Sequence, residues 1–215
     1  MDAAKIKASC AVVCGGELET PSFLAAHITP RDYLIAADKG CAYVAAAGLT
    51  PDLAVGDFDS LETDPPQGIE VLTLSTHKDY TDTHVALMEG ISRGYRRFKI
   101  FAALGGRPDH TFANLSLLAF LDQQGASGVL YAPHCRIHFV RNGSLRLSRA
   151  DGYVSIFPFG GDASGVTLTG LEYPLEHATL RCEMPIGVSN RQIAEYAEIC
   201  VENGALLVMQ TDEKG

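Results

Sequence analysis

Pro51-Asp52-Leu53-Ala54-Val55-Gly56-Asp57-Phe58-Asp59-Ser60 is the stretch from which the fold of this chain can be read. Residues 53–55 form a short apolar run with the character of a buried strand, and two carboxylates follow as soon as it ends. Asp57 and Asp59 stand two residues apart, with glycine before and serine after. That makes a poor hydrophobic strand and a good clamp for Mg²⁺, a hard cation commonly held by one or two carboxylates plus substrate phosphates. Taken alone, Asp-x-Asp favours the plainer reading of an acidic turn closing a strand. The same arrangement, however, recurs along the chain.

Working outward, strand-like runs lie at 8–13, 33–37, 53–55, 71–74, 99–104 and 129–131. Helix-like runs lie between them: 42–47 closed by Gly48, 83–92 closed near Gly94, and 112–121 stopped by Gly125. In the last of these Phe112, Leu115, Leu118 and Leu121 repeat every three residues. Strands alternating with helices imply right-handed βαβ crossovers and a mainly parallel sheet. Residues 1–133 are therefore read as an α/β, Rossmann-like domain.

From about residue 134 the texture changes. Runs at 137–140 and 145–147 flank Asn142-Gly143, which predicts a hairpin. Further short strands are expected at 153–157, 166–168, 178–182 and 205–210, separated by Gly, Pro and Asp. The composition of 191–202 suits a helix, but Ile193, Ala197, Ile199 and Val201 share one face at period two. Asn203-Gly204 then turns the chain into the next apolar run, so strand is preferred. Residues 134–215 are read as a smaller all-β, sandwich-like domain, giving an α/β fold class overall.

The bulk properties narrow the function. A formal net charge of −9 over 215 residues argues against binding a nucleic-acid backbone. The six cysteines include no C-x-x-C pair, which favours reduced, buried thiols over a disulfide framework or zinc site. The apolar run around 10–14 is too short for a signal-peptide core or a membrane span, so a cytoplasmic location is the default expectation.

Four polar motifs each follow a predicted strand: Asp38-Lys39-Gly40, Gly56-Asp57-Phe58-Asp59-Ser60, Lys78-Asp79-Tyr80-Thr81-Asp82-Thr83, and Gly105-Gly106-Arg107-Pro108-Asp109-His110. The carboxyl ends of the strands form the ligand crevice of an open parallel sheet, which gathers all four along one edge. Asp38, Asp57, Asp59 and Asp82 would surround one or two Mg²⁺ ions. Lys78 and Arg107 suit phosphate oxygens, Arg107 through its bidentate fork. Gly105 and Gly106 let the backbone come close to a phosphate, and His110 could donate to one. Plainer readings exist: Asp82 and Thr81 as caps of a helix start, Arg107–Asp109 as a loop ion pair, His110 as a first-turn helix residue. No P-loop, kinase signature or Ser nucleophile elbow is present. The chemistry is that of metal-assisted phosphoryl-type transfer without a covalent enzyme intermediate.

As an ordered set these motifs resemble those of the thiamine pyrophosphokinase (thiamine diphosphokinase) family. The matching segments begin with residues 38–40, 51–60 and 78–83, then Leu104-Gly105-Gly106-Arg107-Pro108-Asp109-His110-Thr111 with Ala113-Asn114. Gly170-Leu171-Glu172-Tyr173-Pro174-Leu175 and Gly187-Val188-Ser189-Asn190 are similar to the family's thiamine-site segments. The resemblance implies Mg²⁺-dependent transfer of pyrophosphate from ATP to thiamine, giving AMP and thiamine diphosphate. It further implies ATP binding by the first domain and thiamine binding by the second, in a homodimer whose active sites are shared between subunits. Asp57, Asp59 and Asp82, helped by Asp38, would handle Mg²⁺–ATP, with Asp82 or Asp109 assisting catalysis. Arg107, Asp109 and His110 would line the nucleotide side, and Tyr173, Ser189 and Asn190 the thiamine pocket. The chain departs from the family at Asp-Gly-Gly-Ala-Asn, where Lys39, Cys41 and Ala42 replace the second, fourth and fifth residues, and it has Tyr173 where many members carry Trp. A non-catalytic nucleotide or thiamine sensor and a Mg²⁺-dependent phosphohydrolase remain as alternatives on the same fold.

Overall fold

The computed structural model describes residues 8–57, 68–75 and 79–213. The chain divides into two compact units, Met1–Pro133 and His134–Gly215. In the first, the elements run β1 (Ser9–Val13), α1 (Pro21–His27), β2 (Asp32–Ala37), α2 (Gly40–Ala46), β3 (Leu53–Gly56) and β4 (Glu70–Thr73). They continue with α3 (Asp82–Ser92), β5 (Arg97–Phe101), α4 (Pro108–Gln123) and β6 (Ser127–Ala132). The six strands pair in the order β6-β5-β1-β2-β3-β4, every pairing parallel.

Parallel strands covered by helices on both faces read as unbroken apolar runs, because neither face meets water. That is why β1, β2 and β3 were visible in the sequence; all four residues of β3 are buried. Ala11, Val13, Leu34, Ala36, Ala54 and Phe101 pack on one face with Leu24 of α1 and Cys41 and Val44 of α2. Side chains alternate across a strand, so Cys10 and Ile100 face the other way. There a Cβ placed on Gly90 of α3 would touch Phe98 and Cys10, and one on Gly128 would touch Leu118 and Leu121 of α4. The edge strand β4 is largely exposed.

Three details differ from the sequence reading. Helix α1 was not anticipated; it is seven residues long and opens on Pro21. Strand β5 ends at Phe101, earlier than the apolar run suggests. In α4 the buried stripe is Asn114, Leu117, Leu118 and Leu121, while Phe112 is 66% exposed. A repeat of three drifts around a helix of 3.6 residues per turn, which carries Phe112 off the core face.

The second unit contains β7 (Cys135–Ser148), β8 (Tyr153–Pro158), β9 (Ala163–Thr169), β10 (Leu175–Leu180) and β11 (Tyr196–Thr211). Neither Asn-Gly pair makes the expected turn. Asn142-Gly143 lies inside the 14-residue strand β7, and Asn203-Gly204 inside the 16-residue strand β11. The two strands pair antiparallel along their length, with a register shift between Val201 and Ala205 opposite Asn142. There Asn142 adopts φ 45° and Gly204 φ 106°, and Asn142 Oδ1 accepts the Gly204 N–H at 2.9 Å. Asn and Gly at positive φ serve a bulge as well as a turn, and a bulge bends the strand that carries it. On its other edge β11 pairs with β9 before the bulge and with β8 after it. The two halves close over a single core that includes Leu147, Ile156, Leu168, Leu180, Ile199 and Val208, a sandwich-like arrangement. Strand character in 191–202 begins only at Tyr196.

All six cysteines are free thiols: Cys10, Cys14 and Cys41 are buried, Cys135 and Cys200 partly so, and Cys182 is exposed. Among the described residues no helix is long and apolar enough to cross a membrane.

Candidate active site

The first unit's sheet changes direction at β1: the chain moves to β2 on one side, and β5 lies on the other. Loops leaving strands at such a switch point diverge and open a crevice beyond the strands' carboxyl ends. A cleft of about 490 Å³ lies there, reached by residues following β1, β2, β3 and β5 and by the first turns of α3 and α4.

Main-chain bonds set its floor. Cys14 N donates to Phe101 O at 2.9 Å, Gly16 N to Ala102 O at 2.7 Å and Glu17 N to Leu104 O at 3.0 Å, so the loops after β1 and β5 are joined backbone to backbone. A Cβ on Gly16 would lie 2.5 Å from Ala102 O, which explains the glycine. Asn114, buried in α4, donates from Nδ2 to Ala103 O at 2.8 Å and holds the second loop from below. Tyr43 of α2 donates from Oη to Gly16 O at 2.9 Å.

Polar groups line the walls. Asp38 sits just past β2 at φ 50°, a left-handed conformation that an aspartate adopts at some cost, and its amide donates to Val55 O at 2.9 Å. Asp57 follows β3 directly, and Asp82 opens α3. Thr81 is the cap of that helix, its hydroxyl accepting from His84 N at 3.2 Å, so the helix's positive end lies beside Asp82. Thr83, also buried, hydrogen-bonds the Cys14 thiol; burial of Cys14 outweighs that bond and pushes its pKa up to about 12. This thiol is a packing group, not a nucleophile.

Arg107 and Asp109 form the loop ion pair, Arg107 Nε and Nη2 donating to Asp109 Oδ1 and Oδ2 at 3.1 and 2.5 Å. The Arg107 guanidinium, with the His110 N–H at 3.0 Å, holds the Asp109 carboxyl below its ordinary value despite some desolvation.

Asp38, Asp57, Thr81, Asp82, Gly105, Gly106, Arg107 and His110 thus line one cleft, with Asp109 gripping Arg107 beside it. Asp59 and Lys78 lie outside the described residues. Gly15, Gly16, Glu17, Tyr43 and Thr83, none of which has a role in the sequence reading, also line it. The signal for Gly15–Glu17 was present: they follow a predicted strand of the same sheet, although they fit no dinucleotide fingerprint. Lys39 faces the cleft, whereas Cys41 is buried with Sγ donating to Ala36 O, and Ala42 is exposed away from the lining.

Hard oxygen donors from three loops fit Mg²⁺. Mg²⁺ keeps waters and substrate phosphates in its shell beside such carboxylates. Asp162, Cys182 and Glu183 do cluster, on the exposed surface of the second unit, but a thiol is a poor partner for Mg²⁺.

In the second unit Tyr173, Ser189 and Asn190 come together. Asn190 Oδ1 accepts Tyr173 N at 3.0 Å and Arg191 N at 2.9 Å, and its Nδ2 donates to Tyr173 O at 2.8 Å. Asn190 is buried, while Tyr173 is 64% exposed. Ser189 adopts φ 60°, and its amide donates to Ser155 Oγ at 3.0 Å. Asn190 is thereby a clasp for the Tyr173 loop, leaving the aromatic ring to face outward.

Comparison with known proteins gives two family matches. The thiamin pyrophosphokinase catalytic-domain model matches residues 25–130, and the thiamin pyrophosphokinase vitamin B1 binding-domain model matches residues 134–206. Thiamine pyrophosphokinase of Bacillus subtilis is 27% identical over 209 residues, covering 94% of this chain and 98% of that protein. The crystal structure of thiamine pyrophosphokinase from Bacillus subtilis superposes with a TM-score of 0.88 at 25% identity, covering 95% of this chain and 99% of that one. The fold extends to thiamin pyrophosphokinase from Candida albicans, with a TM-score of 0.78 at 13% identity over 97% and 91% of the two chains.

Proposed function

The chain belongs to the thiamine pyrophosphokinase family, and from that membership we propose how its residues divide the transfer of pyrophosphate from ATP to thiamine. The protein is an enzyme of this activity, a thiamine diphosphokinase. The observation that carries the residue assignment is the gathering of Asp38, Asp57 and Asp82 with Arg107 and His110 in one cleft at the sheet's switch point.

Asp38, Asp57 and Asp82, together with Asp59, would hold Mg²⁺, which when bound neutralises charge on the triphosphate. Arg107 presents its guanidinium to the nucleotide, and Asp109 keeps that fork in one orientation. His110 at the start of α4 and the Gly105–Gly106 backbone complete the ATP side, with Lys78 reaching the phosphates. Tyr173 offers an aromatic face to the cationic thiamine ring, Asn190 fixes the Tyr173 loop, and Ser189 completes the pocket. The thiamine hydroxyethyl oxygen attacks the β-phosphorus in line, the bond to the α-phosphate oxygen breaks, and AMP departs. Such transfer depends mainly on positioning and charge. Asp109, held acidic by Arg107, is a weak proton acceptor, so we assign it to positioning.

Incubation with Mg²⁺, ATP and thiamine tests the reading. Thiamine-dependent formation of AMP and thiamine diphosphate is expected. Release of ADP or phosphate without thiamine would indicate a phosphohydrolase, and binding without turnover a sensor. Asp57→Asn and Asp59→Asn should each lower kcat by at least ~10²-fold; near-normal rates in both variants would remove the metal assignment.

We further propose a cytoplasmic homodimer with active sites shared between subunits. The second unit exposes Tyr173, Met184, Ile186, Val188, Ile193 and Tyr196. Large exposed apolar side chains in such number favour burial against a partner.

A further inference from the structure

Glu17 is an acidic cleft residue to which the assignment above gives no task. It follows β1, its amide is fixed to Leu104 O, and it lines the cleft. Its side chain rests on Gly105: a Cβ built there would lie 2.5 Å from Glu17 Oε2 and 2.9 Å from Glu17 Cβ. Gly105 therefore leaves room for this carboxylate, a second demand for glycine besides its φ of 79°.

A negative charge against Gly105 disfavours a phosphate on the Glu17 side of that glycine. The phosphates belong toward Arg107 and the carboxylates that carry a cation. A neutral part of the nucleotide that donates hydrogen bonds suits that position. An ionised carboxylate is an acceptor only, with two oxygens side by side, and it forms short, strong bonds with hydroxyl donors. A vicinal diol matches that pair, and in ATP the ribose supplies one.

We infer that Glu17 reads the ribose of ATP, its carboxylate accepting from the 2′ and 3′ hydroxyls, and so sets a preference for ribonucleotides. This rests on the ATP reading above. With Mg²⁺ and thiamine in excess, ATP, 2′-deoxy-ATP and 3′-deoxy-ATP are compared on the wild type, Glu17→Gln and Glu17→Ala. The wild type should prefer ATP by at least ~10-fold in kcat/KM, as for a hydrogen bond to a charged group. Glu17→Ala should raise KM for ATP by about the same factor and bring the three nucleotides within ~2-fold of one another. Calorimetric titration with AMP and 2′-deoxy-AMP, without thiamine, should show the same loss of discrimination in variants whose melting is unchanged. A wild-type preference retained in Glu17→Ala overturns the inference. So does an equal loss with all three nucleotides that higher Mg²⁺ restores, which would make Glu17 a metal ligand. A wild type that makes no thiamine diphosphate from ATP defeats the functional reading itself.

Discussion

Asn190 and Tyr173 lie 17 residues apart yet behave as one unit. Replacing Asn190 with Ala leaves the Tyr173 N–H and C=O without their partners, an expected stability loss of about 1–3 kcal/mol. The same variant should raise KM for thiamine, because the Tyr173 loop loses its clasp; thermal melting and steady-state kinetics read the two effects separately. Asp32 makes a different prediction. Burial alone would raise its carboxyl, but bonds from Ser9, Lys99 and Thr29 outweigh this and hold it below the ordinary value. A depressed folded pKa contributes stability that is present above the unfolded value, about 3.9. That stability is lost as pH falls through the lower folded value. Denaturant midpoints should therefore be level above about pH 5, fall below about pH 4, and lose part of that slope in Asp32→Asn. Neither role was legible in the sequence, since the Lys99 partner lies 67 positions from Asp32. Asp38, Asp57 and Asp82 were legible because each directly follows a strand, or opens a helix, at one edge of the sheet.

At the scale of elements, apolar runs announced the buried parallel strands, and the closing glycines announced the helix ends. The Asn-Gly pairs misled because the same positive φ values serve turn and bulge alike. What decided for a bulge was a partner of equal length, β11 facing β7, which no local pattern reveals. Asn142→Ala should cost about 1–2 kcal/mol, from the lost bond to Gly204 N and a left-handed alanine. Asn142→Gly, which loses the bond but adopts the positive φ without strain, should cost less; chemical denaturation would rank the two. Equal stability of both variants with the wild type would leave the bulge without an anchor. Helix α1 escaped notice because, unlike the equally short α2, no glycine closes it.

For the whole molecule, the alternation of strand and helix followed by short strands was enough to recover the α/β and β-rich halves. Assembly needs a test in solution. If active sites are shared between subunits, Asp57→Asn and Tyr173→Ala should rescue each other. Random mixing after unfolding makes half the dimers mixed, each with one intact site, so about a quarter of wild-type activity should return. A mixture no more active than the mean of its parents would refute sharing. The backbone-to-backbone joining of the β1 and β5 loops has a consequence for descent. Bonds from Cys14, Gly16 and Glu17 amides to Phe101, Ala102 and Leu104 carbonyls place no demand on most side chains they link. Mutation can therefore exchange the cleft's lining while its frame persists, a freedom in keeping with a shared fold at 13% identity. An engineer wishing to admit another nucleotide would accordingly alter Glu17 and leave Gly16 alone.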